Sequence, residues 1–321
     1  MSSLCRIGVL QLADSAPVLV AHARDIFSRY GLNIQPVVMP SWANVADGLV
    51  WNGLDGALMF PPLAIMTALG QRGRAIGLRP GLPVSRGGNS IVLRGQAAAQ
   101  SAWISEPDKK KAFHTWQSSL NRKPRLAVVH LYSTHYLILT RFLKKISVCR
   151  NTETDIVVMP PARMIEALLG GEIDGFCAGP PWGADAQLRH LAFAVSGSAA
   201  TVPDHLEKML ILTDQWKMRY PDETKRLYSA LSEAAILCNQ SENSASVAAL
   251  LSAKQENNGL NLPEKAVRSV LSDGKNITET MSFNTHIQTP ELSFGWMIRD
   301  MLREGWLTPD DLTKLSALGW C

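Results

Sequence analysis

Short apolar runs alternate along this chain with stretches whose apolar residues recur at helical spacing. The pattern is clearest at residues 152–182. Ile156 to Met159 form an apolar run that meets Pro160-Pro161. Met164, Ile165, Leu168 and Leu169 then fall on one helical face until Gly170-Gly171 stops it. Ile173-Asp174-Gly175-Phe176-Cys177-Ala178 predicts a second buried strand, closing in Gly179-Pro180-Pro181-Trp182. This is a strand–helix–strand unit ending in a rigid, glycine-opened loop that carries an aromatic. In open α/β sheets, ligands bind beyond such strand ends.

The same unit occurs earlier. Leu32 to Val38 predicts a strand, and Pro40-Ser41-Trp42 turns into a helix through Val45, Leu49 and Val50. Gly53 ends that helix, Leu54-Asp55-Gly56-Ala57-Leu58-Met59 comes next, and Phe60-Pro61-Pro62 closes. One unit used twice predicts two similar α/β lobes facing each other. Arg6–Leu12 predicts the first strand, succeeded by a helix over Val18–Arg29. Pro107–Arg122 predicts a polar helix with Phe113 and Trp116 on one side. Leu126–Val129 predicts a strand, and Tyr136–Leu143 a helix opened by Ser133-Thr134-His135. The Ala-, Gly- and Ser-rich stretches Leu93–Ser101 and Ala192–Thr201 are the expected hinge crossings. They divide the chain into a discontinuous first lobe, residues 1–95 and 198–321, and a second lobe, residues 96–197. Helices are expected over Pro221–Cys238, Glu242–Gln255, Pro263–Leu271 (ended by Asp273-Gly274), Leu292–Glu304 and Thr308–Ala317, the last two covering the first lobe.

The 321 residues allow two domains with substantial cores. A net charge of +4 is too mild for a nucleic-acid binder, and Lys109-Lys110-Lys111 and Lys144-Lys145 read as solvated helix faces. The five cysteines, Cys5, Cys149, Cys177, Cys238 and Cys321, are scattered with no metal or redox spacing, which suits a reducing compartment. At the N-terminus, the apolar run Arg6–Leu12 is short, and Asp14 and Pro17 break any extension of it. It fits a strand rather than a secretory signal. No run approaches the ~18 apolar residues of a membrane span. The expectation is a cytoplasmic protein without membrane contact.

Several stretches together resemble the nitrate/bicarbonate-binding proteins of ABC importers, within the type II periplasmic-binding fold. They are Ser41-Trp42-Ala43-Asn44, Gly53–Ala57, Pro61–Thr67, Gly88-Asn89-Ser90-Ile91, Ser133-Thr134-His135, Val158–Pro161, Asp174–Trp182 and Phe294–Ile298. The resemblance implies a two-lobed α/β fold with two hinge crossings that closes on a small oxyanion without catalysis. Joined to the expected location, it is closest to the cytoplasmic nitrate/nitrite sensor of the NasS type. That type holds an RNA-binding antiterminator of the NasT type inactive until the anion binds.

Such a site must present oriented donors and positive charge, because burying an unpaired anion is prohibitive. The matched motifs supply candidates. Trp42 offers an indole N–H or a flat wall, or is a core tryptophan. Asn89 offers an amide donor, or fixes its own turn. His135, which the family also carries, sits in a helix first turn where backbone amides attract anions, and donates one ring N–H if neutral or two if protonated. Gly179 offers an unobstructed backbone N–H, or is a plain turn glycine. Lys208 is the best compensating charge, or a solvated helix lysine. Pro180 stands where the family commonly has Glu, and Tyr132 and Ser133 stand where glycines are usual. These departures leave the ligand at the level of a small oxyanion. No carboxylate-rich loop suggests calcium, and no cofactor is expected.

Two rivals remain. One is the solute-binding protein of an importer. The other is a type II-fold enzyme, such as the thiamine-pyrimidine synthases, whose cysteine-rich cluster this sequence lacks. No catalytic or nucleotide-binding motif is evident.

Overall fold

The computed structural model describes residues 3–71, 73–271, 281–286 and 294–321. Its strands are β1 (Leu4–Val9), β2 (Asn33–Val38), β3 (Gly56–Met59), β4 (Leu82–Gly87), β5 (Ser90–Arg94), β6 (Arg125–Val128), β7 (Asp155–Val158), β8 (Gly175–Ala178), β9 (Ala192–Gly197), β10 (Leu206–Leu212) and β11 (Met281–Phe283). They form a six-stranded sheet of order β11-β4-β10-β3-β1-β2 and a five-stranded sheet of order β7-β6-β8-β5-β9.

The repeated apolar pattern has a topological counterpart. β1 lies between β2 and β3 and is parallel to both, and β6 lies in the same way between β7 and β8. In each sheet the next strand, β10 beside β3 and β5 beside β8, runs antiparallel. Pro36 is accommodated because β2 is an edge strand, where a missing N–H breaks no second ladder. The helix expected over Val18–Arg29 is instead two, Ala16–Ala23 and Ile26–Arg29, because Asp25 adopts a left-handed φ of 54° between them. Pro61-Pro62 opens the helix Pro61–Ala68 rather than closing a loop. At first-turn positions proline forfeits no intrahelical bond and its φ is already helical.

The first crossing is shorter and earlier than expected. β4 passes to β5 through Gly88-Asn89 alone, and β5 pairs with β8 and β9 in the second sheet. The strand belongs to the second sheet, ahead of the expected boundary at residue 95, and Ala97–Ser105 is a helix rather than a hinge strand. Gly87 and Gly88 take φ of 64° and 84°, which side-chain-bearing residues rarely adopt. The second crossing leaves β9 through the short helix Ser198–Thr201 and enters β10. The crossings are bonded to each other: Ser198 N–H donates to Asn89 O (2.8 Å) and Gly87 N–H to His205 O (3.1 Å).

The lobes also meet beyond the strand ends. Ala13 N–H donates to Pro180 O (2.8 Å), and Trp182 Nε1 donates to Gln11 O (2.9 Å). The C-terminal region differs from expectation. The helix Gly295–Arg303 packs on Pro61–Ala68 in the first lobe and equally on Thr134–Lys145 in the second. Arg141 pairs with Asp300, and Arg150 Nη1 lies 2.5 Å from Glu304 Oε2. The helix Pro309–Ala317 starts with a capping box between Thr308 and Asp311. The expected stop at Asp273-Gly274 and the first residues of the Leu292–Glu304 helix lie outside the described residues. Among the described residues no helix is long and apolar enough to cross a membrane.

Candidate functional site

The C-terminal ends of β1, β3, β6 and β8 converge with the two crossings on one buried polar cluster. After β1 the chain carries Asp14; after β3, Phe60; after β6, Ser133-Thr134-His135; after β8, Gly179. Ser133 caps the Thr134–Lys145 helix by accepting from Tyr136 N–H (3.0 Å), which fixes Thr134 and His135 in its first turn. Asn89 comes from the first crossing, His205 from the second, and Glu207 and Lys208 from the head of β10. All these side chains are at most 3% exposed.

Glu207 and Lys208 are neighbours in a strand, so regular alternation would send them to opposite faces. β10 is irregular at this point: its register against β4 shifts between Leu206 and Lys208 and again between Lys208 and Met209. A bulge re-aims side chains in this way. Lys208 Nζ lies 2.6 Å from Glu207 Oε1 and 3.0 Å from Asp14 Oδ2. It also stands 5.3 Å and 5.4 Å from the ring centroids of Trp42 and Phe60, which shield it from water.

Glu207 is the hub. Its Oε1 accepts from Lys208 Nζ and from Thr134 Oγ1 (2.8 Å). Its Oε2 accepts from Asn89 Nδ2 (2.6 Å) and lies 3.0 Å from His205 Nε2. Burial pushes this carboxyl up, but Lys208, His135 and the His205 hydrogen bond outweigh burial and hold it well below the usual range. His135 is driven down to about 3, chiefly by desolvation, so it is neutral at pH 7 and donates from one ring nitrogen only. His135 therefore brings no charge to Glu207 at neutral pH, whereas Lys208 brings an ammonium. The two carboxylates beside its ammonium outweigh burial and raise Lys208 above its ordinary value. Burial raises Asp14 despite Lys208.

All five expected site residues lie in or against this cluster. Trp42 stacks on Phe60 (4.3 Å between centroids), which meets His135 edge-on (5.7 Å). A Cβ placed on Gly179 would lie 3.4 Å from His135 Nε2 and 3.5 Å from Asn89 Oδ1. Lys208 is a buried strand residue, not a solvated helix lysine. Trp42 Nε1, both His135 ring nitrogens and His205 Nδ1 are buried without a hydrogen-bond partner among the described residues. Buried polar atoms are rarely left so, and those of Trp42 and His135 are suited to a bound acceptor. Asp14, Thr134, His205 and Glu207 were missed in the sequence. The available signal was the polar trio His205, Glu207, Lys208 heading an otherwise apolar strand. Despite two acids and two histidines, no group of three or more possible ligands among the described residues has metal-holding geometry.

The nitrate import ATP-binding protein NrtC of Synechocystis is 30% identical over 235 residues, covering 73% of this chain and 34% of that protein. The nitrate/nitrite binding protein NrtA of Synechococcus elongatus is 29% identical over 245 residues, covering 74% and 55%. The chain thus spans a third to about half the length of these relatives. The crystal structure of the periplasmic nitrate-binding protein NrtA from Synechocystis superposes with a TM-score of 0.82 at 18% identity, covering 98% of this chain and 86% of that one. The architecture is the expected two-lobed type II periplasmic-binding fold, as in that nitrate-binding protein. The sequence profile of the NMT1-like family spans residues 2–252, both crossings and the whole polar cluster included, and the chain belongs to that family.

Proposed function

We propose that the chain is a cytoplasmic, non-catalytic nitrate/nitrite sensor that controls an RNA-binding antiterminator of the NasT type. The observation that carries the anion-binding part is the set of buried, unpartnered donors of Trp42 and His135 beside the Lys208 ammonium, at the junction of two lobes. Asn89 and Gly179 complete the lining. Charge-assisted hydrogen bonds net roughly 1.5–3 kcal/mol each. Three or four of them, less the cost of lobe closure, give about 8 kcal/mol, or micromolar affinity. The cytoplasmic site of action is that of the NasS-type sensors the sequence resembles. The antiterminator as partner rests on the family resemblance together with that location.

Nitrate or nitrite is expected to raise the melting temperature, with about 2.7 kcal/mol of stabilisation at a hundredfold excess over Kd. A melting point indifferent to both anions at millimolar levels would reject the assignment. Co-purification with the antiterminator should be lost on adding the anion.

A second reading is favoured by the likeness to NrtA, named as a nitrate/nitrite-binding protein. In it the chain delivers the same anion to an importer. Cell fractionation separates the two readings, since an importer's binding protein must work outside the cytoplasm.

A further inference from the structure

Glu207 already holds the kinds of contact that a bound oxyanion would need. One carboxylate accepts from Thr134, Asn89 and Lys208 and is bonded to His205. Trp42 and His135 keep donors unused. From the described residues, we propose that Glu207 is an internal anion, and that the site takes up its external oxyanion together with one proton lodged on the Glu207 carboxylate. This rests on the oxyanion-binding reading above.

The groups facing Glu207 set the balance. Its own strand and the second crossing bring Lys208 and His205. The segment after β1 brings Asp14. The Thr134–Lys145 helix brings Thr134 and His135, and the first crossing brings Asn89. Two carboxylates thus share one lysine ammonium. A further full negative charge about 4 Å from Glu207 would weaken binding by roughly a thousandfold at an effective dielectric near 20. One proton from solvent removes that repulsion. It also turns a carboxylate oxygen from acceptor to donor and frees Asn89 Nδ2 and Thr134 Oγ1 for the ligand. No covalent bond changes. Without an external anion the proton is disfavoured, because Lys208 and the other donors stabilise the ionised carboxylate.

Nitrate is the suitable probe, being ionised throughout the working range. It is titrated calorimetrically at pH 5.5, 7.0 and 8.5, each in two buffers whose ionisation enthalpies differ. The expected Kd rises with pH by up to about tenfold per unit at the acid end, with up to one proton absorbed per nitrate. It levels off towards pH 8.5, because a roughly thousandfold repulsion sustains the rise over about three pH units at most. Glu207→Gln keeps the shape and removes the charge. It should flatten the pH response and bind nitrate at least tenfold more tightly than wild type at pH 8.5. Wild-type binding that is flat with pH and takes up no proton overturns the internal-anion role and leaves the oxyanion reading intact. A Glu207→Gln variant with the wild-type pH slope does the same. Failure of both proteins to bind nitrate, nitrite or bicarbonate at every pH overturns the oxyanion reading, and this inference with it. Should the variant not fold, the proton count on the wild type decides alone.

Discussion

Lys208→Met is expected to lower the unfolding free energy by about 3–5 kcal/mol at pH 7, the usual cost of removing one partner from a buried ion pair. The ammonium lies within 3.0 Å of Asp14 and 2.6 Å of Glu207, and the variant leaves both carboxylates buried. The pH dependence should reverse. In the wild type the Glu207 carboxyl is held below its ordinary 4.5, so it adds stability that is present above that value and lost as pH falls through the folded pKa. Without Lys208, burial dominates and the folded pKa moves above 4.5. The contribution of Glu207 is then favourable below that value and is lost as pH rises. Asp14, already raised by burial, acts in this second sense in both proteins. Denaturant unfolding should therefore show the variant more stable at pH 5 than at pH 7, and Glu207→Gln added to it should restore part of the loss. A variant within 1 kcal/mol of wild type at pH 7 would mean that the ammonium does not compensate these acids.

Replacing Trp42 separates its wall from its donor. Trp42→Ala removes a 1%-exposed ring packed on Phe60 and should cost about 3–5 kcal/mol of stability, as large-to-small core changes do. Trp42→Phe keeps an aromatic against Phe60 and Lys208 but lacks the N–H. Its stability loss should be clearly smaller, while nitrate affinity falls about tenfold, or ~1.4 kcal/mol. The pair is measured by thermal unfolding and nitrate titration. Wild-type affinity in Trp42→Phe would show that the unpartnered indole N–H serves no ligand.

Much of the fold was legible because its signals are local and periodic. The two strand–helix–strand units carry period, glycine stops and proline punctuation within about thirty residues each, and both sheets grow from them. The first crossing was misplaced for a physical reason. Gly88-Asn89 is too short to shift composition, whereas the alanines just after it, whose helix propensity is high, form the Ala97–Ser105 helix rather than a hinge. The sequence pointed to Trp42, Asn89, His135 and Gly179, which the fold brings to one place, because each comes after a strand end in a recognisable motif. The charge network was not. Glu207 and Lys208 meet in one buried cluster where β10 is irregular, and Asp14 reaches Lys208 from the far end of the first lobe's sequence. Neither alternation nor spacing encodes such a meeting.

The Gly295–Arg303 helix has a mechanical consequence. Two adjacent ribbons allow a pair of bodies to swing, and a third tether narrows the swing. If the halves part, the grips of Arg141 on Asp300 and of Arg150 on Glu304 must let go, or the tail is hauled off the Pro61–Ala68 face it covers. In both cases the outer contour of the molecule reports a change in what its interior holds.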